Sequence, residues 1–496
     1  MAEQMKKLAK DTAIYGVSSI LGKFLNWMLM PFYTFFLKGG PADYGIVTNL
    51  YAWTSLLLVI LTYGMETGFF RFVNKNKDEE RSVYGHTLLS VGFTSVLFIG
   101  ICFIFEHPIA GFLGYSSNSE FITMMGITVA IDAFACIPFA YLRYKNRPIK
   151  FAGLKMLYVV FNIILNLFFL VACPWLMTNA PETISWFYNP SYGVGYVVVS
   201  NVIATIIQTL FLLPYIFVGK FKFDFKVLNP ILKYSFPLLI LGIAGIMNQN
   251  LDKILFPFLR VGELGKTELG IYGATSKIAM VMMMFTQAFR YAYEPFIFAQ
   301  HKDKNSLVTY ADAMKFFIIF SLLIFLGMVL YIDVFKHIIH HDYWEGLRVV
   351  PIVLFSFIFQ GVFFNLSLWY KLTDKTMYGA WFSIVGTVII VLMNVAFVPQ
   401  YGYMGCVWAA FICYFVVMLV SYYFGQKFMP IKYDLKTIGL YTGVTLLLYV
   451  ISMFINTPYS ILNIALKTVL MISFLVLLVK RDFPLNSIPV INRYFK

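Results

Sequence analysis

The chain has 496 residues, 60% of them hydrophobic, 19% aromatic and only 12% charged, with a mean hydropathy of +0.76 and a formal net charge of +14. Soluble domains are nearer to about 45–50% apolar and about 25% charged, so a soluble globular fold is excluded. The apolar runs are continuous and lack the period-two alternation of a transmembrane β-barrel, which excludes that class too.

A spanning helix needs about 20 apolar residues. Runs of that length predict an all-α polytopic membrane protein of about 14 transmembrane helices. They fall near 12–37, 44–70, 83–105, 119–142, 150–173, 192–218, 232–258, 269–298, 307–331, 347–371, 376–398, 401–424, 436–456 and 459–480. The first follows Lys6, Lys7 and Lys10 and is too long for a signal-peptide core, so it reads as a retained span. The longest exterior loop, 174–191, contains Pro181, Pro190 and Glu182 and no Lys or Arg. With the N-terminus inside, most Lys and Arg collect on the cytoplasmic side, and only Lys38, Arg260, Lys266, Lys336 and Arg348 fall on the other. That is the positive-inside pattern. It places both termini in the cytoplasm and accounts for the net charge without nucleic-acid binding. The five cysteines show no metal spacing and no disulfide framework, and read as small buried hydrophobes.

An internal repeat organises the chain. Tyr44-Gly45 recurs as Tyr272-Gly273, and at the same offset Glu66 falls on Glu294, Asn146-Arg147 on Asp374-Lys375, and Asn166 on Asn394. Met30-Pro31-Phe32 matches Phe256-Pro257-Phe258 with a slip of two residues, and after the 174–191 loop Tyr192-Gly193 matches Tyr401-Gly402. An even number of spans separates the copies, so they are parallel repeats about an axis along the membrane normal. The expected organisation is an N-lobe over 1–225, a C-lobe over 226–430, and two further helices with a cytoplasmic tail over 431–496. Pro31 and Pro257, at equivalent places, are candidate bends.

Charged residues inside spans face protein or water, because each costs roughly 2.5–3.5 kcal/mol against lipid. They concentrate in spans one, two, seven and eight, the equivalent openings of the two lobes. Lys23, Asn26, Asn248, Asp252, Lys253, Lys277 and Arg290 are therefore the candidate residues of a central, cation-leaning cavity. Glu66 and Glu294, near the inner ends, are candidate gating or ion-coupling residues, with Glu294 placed to pair with Arg290 one helical turn away. Lys155 and Lys315 sit near inner helix ends and read as snorkelling. Asp132, near mid-span, suits either a structural hydrogen bond or a cavity role. His337, His340, His341 and Asp342 read as interfacial polar residues, and no metal site, cofactor motif or ATP-binding loop is expected.

The stretches Ala13-Ile14-Tyr15-Gly16, Pro31-Phe32-Tyr33 with Tyr44-Gly45, Asp252-Lys253, Gly270-Ile271-Tyr272-Gly273, Arg290-Tyr291-Ala292-Tyr293-Glu294-Pro295 and Asn394 resemble the multidrug/oligosaccharidyl-lipid/polysaccharide (MOP) exporter superfamily. Within it, the chain resembles bacterial polysaccharide-biosynthesis or Wzx-type O-antigen flippases. That resemblance implies a non-enzymatic inner-membrane protein. It would move an undecaprenyl-pyrophosphate-linked oligosaccharide to the outer leaflet by alternating access, working beside glycan polymerase and chain-length machinery. Lys23, Lys253, Lys277 and Arg290 are the positions it assigns to the basic cavity. The alternatives are a MATE-like cation-coupled drug antiporter and a lipid II flippase. A membrane-embedded glycan polymerase would want an exterior loop rich in catalytic groups, which 174–191 is not.

Overall fold

The computed structural model describes residues 21–22, 24–25, 27–75, 77–219, 224–300 and 306–482. These residues are helical with short connections and contain no strand. Twelve helices are long and apolar enough to cross a membrane, or thirteen if Glu263–Ile278 and Met280–Tyr291, bent by 43°, form one span. The expected polytopic all-α class is therefore observed. The count of 14 is not reached among the described residues, because the first expected span is described mainly as a helix over 27–36.

Local chemistry sets the helix ends. Pro41, Pro148, Pro174 and Pro351 occupy first turns, where a missing N–H costs nothing. Asp224 caps Phe225–Leu259 through the Lys226 N–H at 2.8 Å, and its own N–H donates to His86 Nε2, also at 2.8 Å. Asp434 caps Leu435–Met453 through the Thr437 N–H. The helices carrying Tyr44 and Tyr272 begin at Gly40 and Glu263, earlier than the apolar runs suggest, because each first turn is interfacial and carries an acid, Asp43 or Glu263. The span Gly40–Lys75 is broken at Tyr63–Gly64, both at positive φ.

Repeat-related positions share unusual local structure. Asn146 and Asp374 both adopt positive φ (52° and 56°), as do Gly193 and Gly402 (45° and 56°). Asn166 and Asn394 are both fully buried, and each amide donates to the carbonyl four residues back, Asn162 or Ile390.

The chain packs as two compact units. One comprises the described residues up to Ala274 together with Ser383–Ala409. Its centre is Glu120–Tyr144, which packs against Gly40–Thr62, Glu80–Ile104 and Gly195–Ile216. In the same unit Gly40–Thr62 meets residues 263–274 at backbone distance. A Cβ on Gly45 would overlap the Lys266 carbonyl, and one on Gly270 would overlap the Pro41 carbonyl. Small residues permit such approaches between membrane helices. The other unit comprises Thr275–Phe382 and the chain from Ala410 onward. There Ser306–Leu330 is central, packed on Met280–Gln300, Val350–Leu366, Leu435–Met453 and Ser460–Arg481.

Candidate functional site

Pro257 lies inside the helix Phe225–Leu259 and has no N–H to give the Lys253 carbonyl one turn earlier. Asn49, on the facing helix and only 2% exposed, supplies the missing donor, its Nδ2 lying 2.8 Å from the Lys253 carbonyl oxygen. The Asn49 Oδ1 accepts in turn from the Tyr115 hydroxyl at 2.6 Å. The helix therefore crosses Pro257 unbroken, with its backbone held by a neighbour.

This anchoring presents the two charged residues just before the proline. Asp252 is 7% exposed and accepts a 2.5 Å hydrogen bond from the Tyr272 hydroxyl. The Lys253 Nζ lies 3.1 and 3.2 Å from the two Asp252 oxygens and 5.3 Å from the centre of the Tyr272 ring. Lys253 is thus a half-buried ammonium neutralised by its chain neighbour, and a ligand anion would compete with Asp252 for it. Charge-assisted contacts of this kind are the strong ones in a low-dielectric site. Asn49, Tyr115 and the partnering role of Tyr272 were not legible as site features. The signal for Asn49 was Pro257 itself, which leaves one carbonyl to be satisfied.

The other predicted residues fall as follows. Asn248 binds the helix Met377–Tyr401: its Nδ2 donates to the Ser383 carbonyl at 2.9 Å and its Oδ1 accepts from Thr387 at 3.1 Å. Glu66 forms an ion pair with Arg143, whose guanidinium also lies over the rings of Phe70 and Phe151. Arg143 was read from sequence only as part of the cytoplasmic charge. Within the second unit, Lys277 is half-buried in the last turn of Glu263–Ile278. Arg290 there stacks its guanidinium 4.6 Å from the Phe364 ring centre. Lys23 and Asn26 lie outside the described residues, and so does the side chain of Glu294. Structure thus brings Asp252 and Lys253 together and gives Glu66 a partner that the repeat did not suggest.

Other charged groups have local partners. The Lys467 ammonium, 8% exposed, binds Asp333 at 2.8 Å, and Lys315 pairs with Asp312 at 3.3 Å. The Lys467 hydrogen bond, ahead of the Lys336 contact, holds the Asp333 carboxyl below the ordinary range. The Asp342 carboxylate lies 3.1 Å from both His340 Nδ1 and His341 Nε2, so the three converge on one another at the surface.

A family model described as "Polysaccharide biosynthesis protein" matches residues 8–299, more than half of the chain. The chain belongs to the polysaccharide biosynthesis protein family. The MatE model matches residues 247–396. No curated protein sequence matches the chain. Among solved structures, the chain is similar to a lipid II flippase, MurJ, in an inward closed conformation, with TM-score 0.74, 12% identity, and coverage of 94% of this chain and 99% of that one. It is also similar to an inward-facing MATE multidrug resistance transporter of the MOP superfamily, with TM-score 0.64, 13% identity, and coverage of 84% and 96%. A third is the MATE multidrug transporter DinF-BH, with TM-score 0.58, 15% identity, and coverage of 84% and 95%. At these identities the structures establish a shared fold. The chain shares this fold with proteins named as a lipid II flippase and as multidrug transporters.

Proposed function

We propose that the chain is a Wzx-type flippase that moves an undecaprenyl-pyrophosphate-linked oligosaccharide from the inner to the outer leaflet of the bacterial cytoplasmic membrane. The observation that carries this reading is the match to the polysaccharide biosynthesis family over 8–299, a stretch that contains the buried Asp252–Lys253–Tyr272 cluster. A lipid-linked pyrophosphate needs cations inside the spans, and Lys253, Lys277, Arg290 and Lys23 are the residues we assign to it. Asn26, Asn248 and Asp252 complete the binding set, with Glu66 and Glu294 controlling access from the cytoplasm.

The lobes are 1–225 and 226–430, followed by the two-helix extension 431–496, with both termini cytoplasmic. A pyrophosphate diester carries about two negative charges. Its outward movement through the full field is favoured by roughly 2.3 kcal/mol per charge per 100 mV, which lets the cycle run without ATP. Glycan polymerase and chain-length machinery are the partners downstream.

Reconstitution in proteoliposomes with a polyprenyl-pyrophosphate oligosaccharide tests the proposal. An inside-negative potential speeds outward movement, and K253A, K277A and R290A each abolish it at normal abundance. Normal transport by all three variants, or indifference to the potential, overturns this mechanism. The likeness to MurJ makes lipid II the informative competing substrate, and preference for lipid II over other lipid-linked glycans would assign the chain to that reading.

A further inference from the structure

We infer that Asp132 and Lys155 form a subsite in the first compact unit for an anionic group of the lipid-linked substrate, flanked by groups that bind sugar hydroxyls. This inference rests on the flippase reading above and assigns it Lys155, which the sequence left to snorkelling, and Asp132, for which the sequence left a structural bond and a cavity role open.

The argument begins with the face of Pro148–Leu167. Its exposed apolar residues Ile149, Val160, Ile164 and Leu167 (74%, 46%, 52% and 46%) lie on one side and mark the lipid face. Val159, Asn162 and Asn166 (4%, 1% and 0%) mark the buried side. Lys155 stands four, seven and eleven residues before these three, so at 3.6 residues per turn it shares their side, about 140° from the centre of the lipid face. Yet Lys155 is exposed. A side chain that points inward and is still accessible opens on a polar space inside the protein. Snorkelling past lipid is needed only by a lysine on the lipid face.

Opposite it runs a stripe of Glu120–Tyr144 formed by Thr128, Asp132, Cys136 and Phe139. The Lys155 Nζ rests 4.0 Å from the Phe139 ring centre, with Asp132 and Cys136 as its electrostatic neighbours and Arg143 as a further cation. Among the described residues neither Asp132 nor Lys155 forms a hydrogen bond or an ion pair. Elsewhere in this protein such charges close on each other, Lys253 with Asp252 at 3.1 Å and Lys467 with Asp333 at 2.8 Å. Charges left apart inside a span are costly unless water or a ligand reaches them.

The neighbouring wall supplies the rest of a glycan site. Thr128, one turn from Asp132, lines a small pocket with Tyr51 and Asn201 among apolar side chains such as Val47, Leu50 and Val197. The Tyr158 hydroxyl donates to Asn201 Oδ1 at 2.8 Å, and Asn201 Nδ2 donates to the Tyr51 oxygen at 3.0 Å. Tyr158 lies within electrostatic range of Asp132. A carboxylate and an amide accept from sugar hydroxyls, phenol rings offer stacking faces, and the ammonium on Phe139 is placed for a carboxylate or phosphate. The ligand chemistry is an anion next to a polyol, and it has two sources in a lipid-linked glycan: an acidic sugar or the pyrophosphate.

The test uses full-length protein in nanodiscs and two probes on the same polyprenyl pyrophosphate, one with a neutral disaccharide and one with a uronic-acid disaccharide. K155M keeps the contact with Phe139 and removes the charge. It weakens binding by roughly ten-fold or more, the loss expected for a charge-assisted hydrogen bond. Loss confined to the acidic probe assigns the anion to the sugar, and equal loss for both assigns it to the pyrophosphate. K155R retains most of the affinity, and D132N weakens both probes through the hydroxyl contacts. K155C labelled by a water-soluble maleimide gives an independent readout, because bound probe slows its labelling. Unchanged affinities in K155M and D132N, with unprotected K155C, overturn the subsite while the parent still binds and the flippase reading stands. A parent that binds neither probe overturns both.

Discussion

The side-chain amide of Asn49 donates to the backbone carbonyl of Lys253 at 2.8 Å, the acceptor that Pro257 leaves without its usual helical donor. A buried carbonyl without a partner costs about 1–3 kcal/mol. Asn49→Ala therefore lowers thermal stability by that order and loosens the turn that holds Asp252 and Lys253. Pro257→Ala restores the missing N–H, so N49A/P257A recovers much of the loss. Melting curves of the purified single and double variants check this, and equal melting of N49A and N49A/P257A would refute the dependence.

The Asp252–Lys253 pair permits a similar separation of stability from binding. Breaking one partner of a buried pair is more damaging than removing both. With Lys253 only half-buried, Lys253→Ala is expected to cost about 1–3 kcal/mol, by leaving Asp252 with Tyr272 alone. D252N/K253A melts closer to the parent than K253A does, yet stays inactive in transport because the ammonium is gone. Recovery of transport in the double variant would place Lys253 outside the binding set.

Glu66 and Arg143 join Met65–Lys75 to the end of Glu120–Tyr144. Both side chains are more than a third exposed, at 39% and 34%, so the pair contributes only about 0–1 kcal/mol to stability. Its expected effect is on access. Glu66→Gln raises cytoplasmic labelling of cysteines placed beside it, and E66R/R143E returns labelling toward the parent. Identical labelling in E66Q and the parent would leave the pair as surface decoration.

The close approach at Gly45 and Gly270 leaves no room for a side chain. Gly270→Ala overpacks the crossing at a cost of about 1–3 kcal/mol. It also increases outside labelling of a cysteine at Thr48, which Gly273 faces across the same crossing. Glycine-like labelling in G270A would show that the helices part without resistance.

Asp333 gives a pH dependence with a definite sign. The hydrogen bond from Lys467 lowers the folded-state pKa of Asp333 below its unfolded value, so the stabilisation is complete above the ordinary carboxylate range. It is lost as pH falls through that range toward the folded pKa. Half-exposure of Asp333 (51%) keeps the effect small. Asp333→Asn lowers the melting temperature at neutral pH and flattens its fall on acidification. Parallel pH curves for the parent and D333N would exclude this linkage.

By itself the sequence determined what the solvent imposes. Runs of about 20 apolar residues must be helical in lipid, because each backbone polar group has to be satisfied within its own segment. Some repeat-related positions were legible for a related reason: Asn146 and Asp374 both take positive φ, a property of the chain nearby. The distant partners of polar groups were decided only by tertiary structure, whereas Lys253 and Lys315 pair with acids close by in the chain. Glu66 meets Arg143 from 77 positions away, Asn49 reaches Lys253 across 204, and Lys467 reaches Asp333 across 134. Sequence states that a charge in a span must find water or a partner, since desolvation is costly wherever it sits. Which partner it finds depends on helix rotation and crossing, and these follow from the packing of faces contributed by distant segments. Lys155 shows the difference most directly: its position near a helix end suggests snorkelling, while the buried side it shares with Val159, Asn162 and Asn166 is known only from what packing covers.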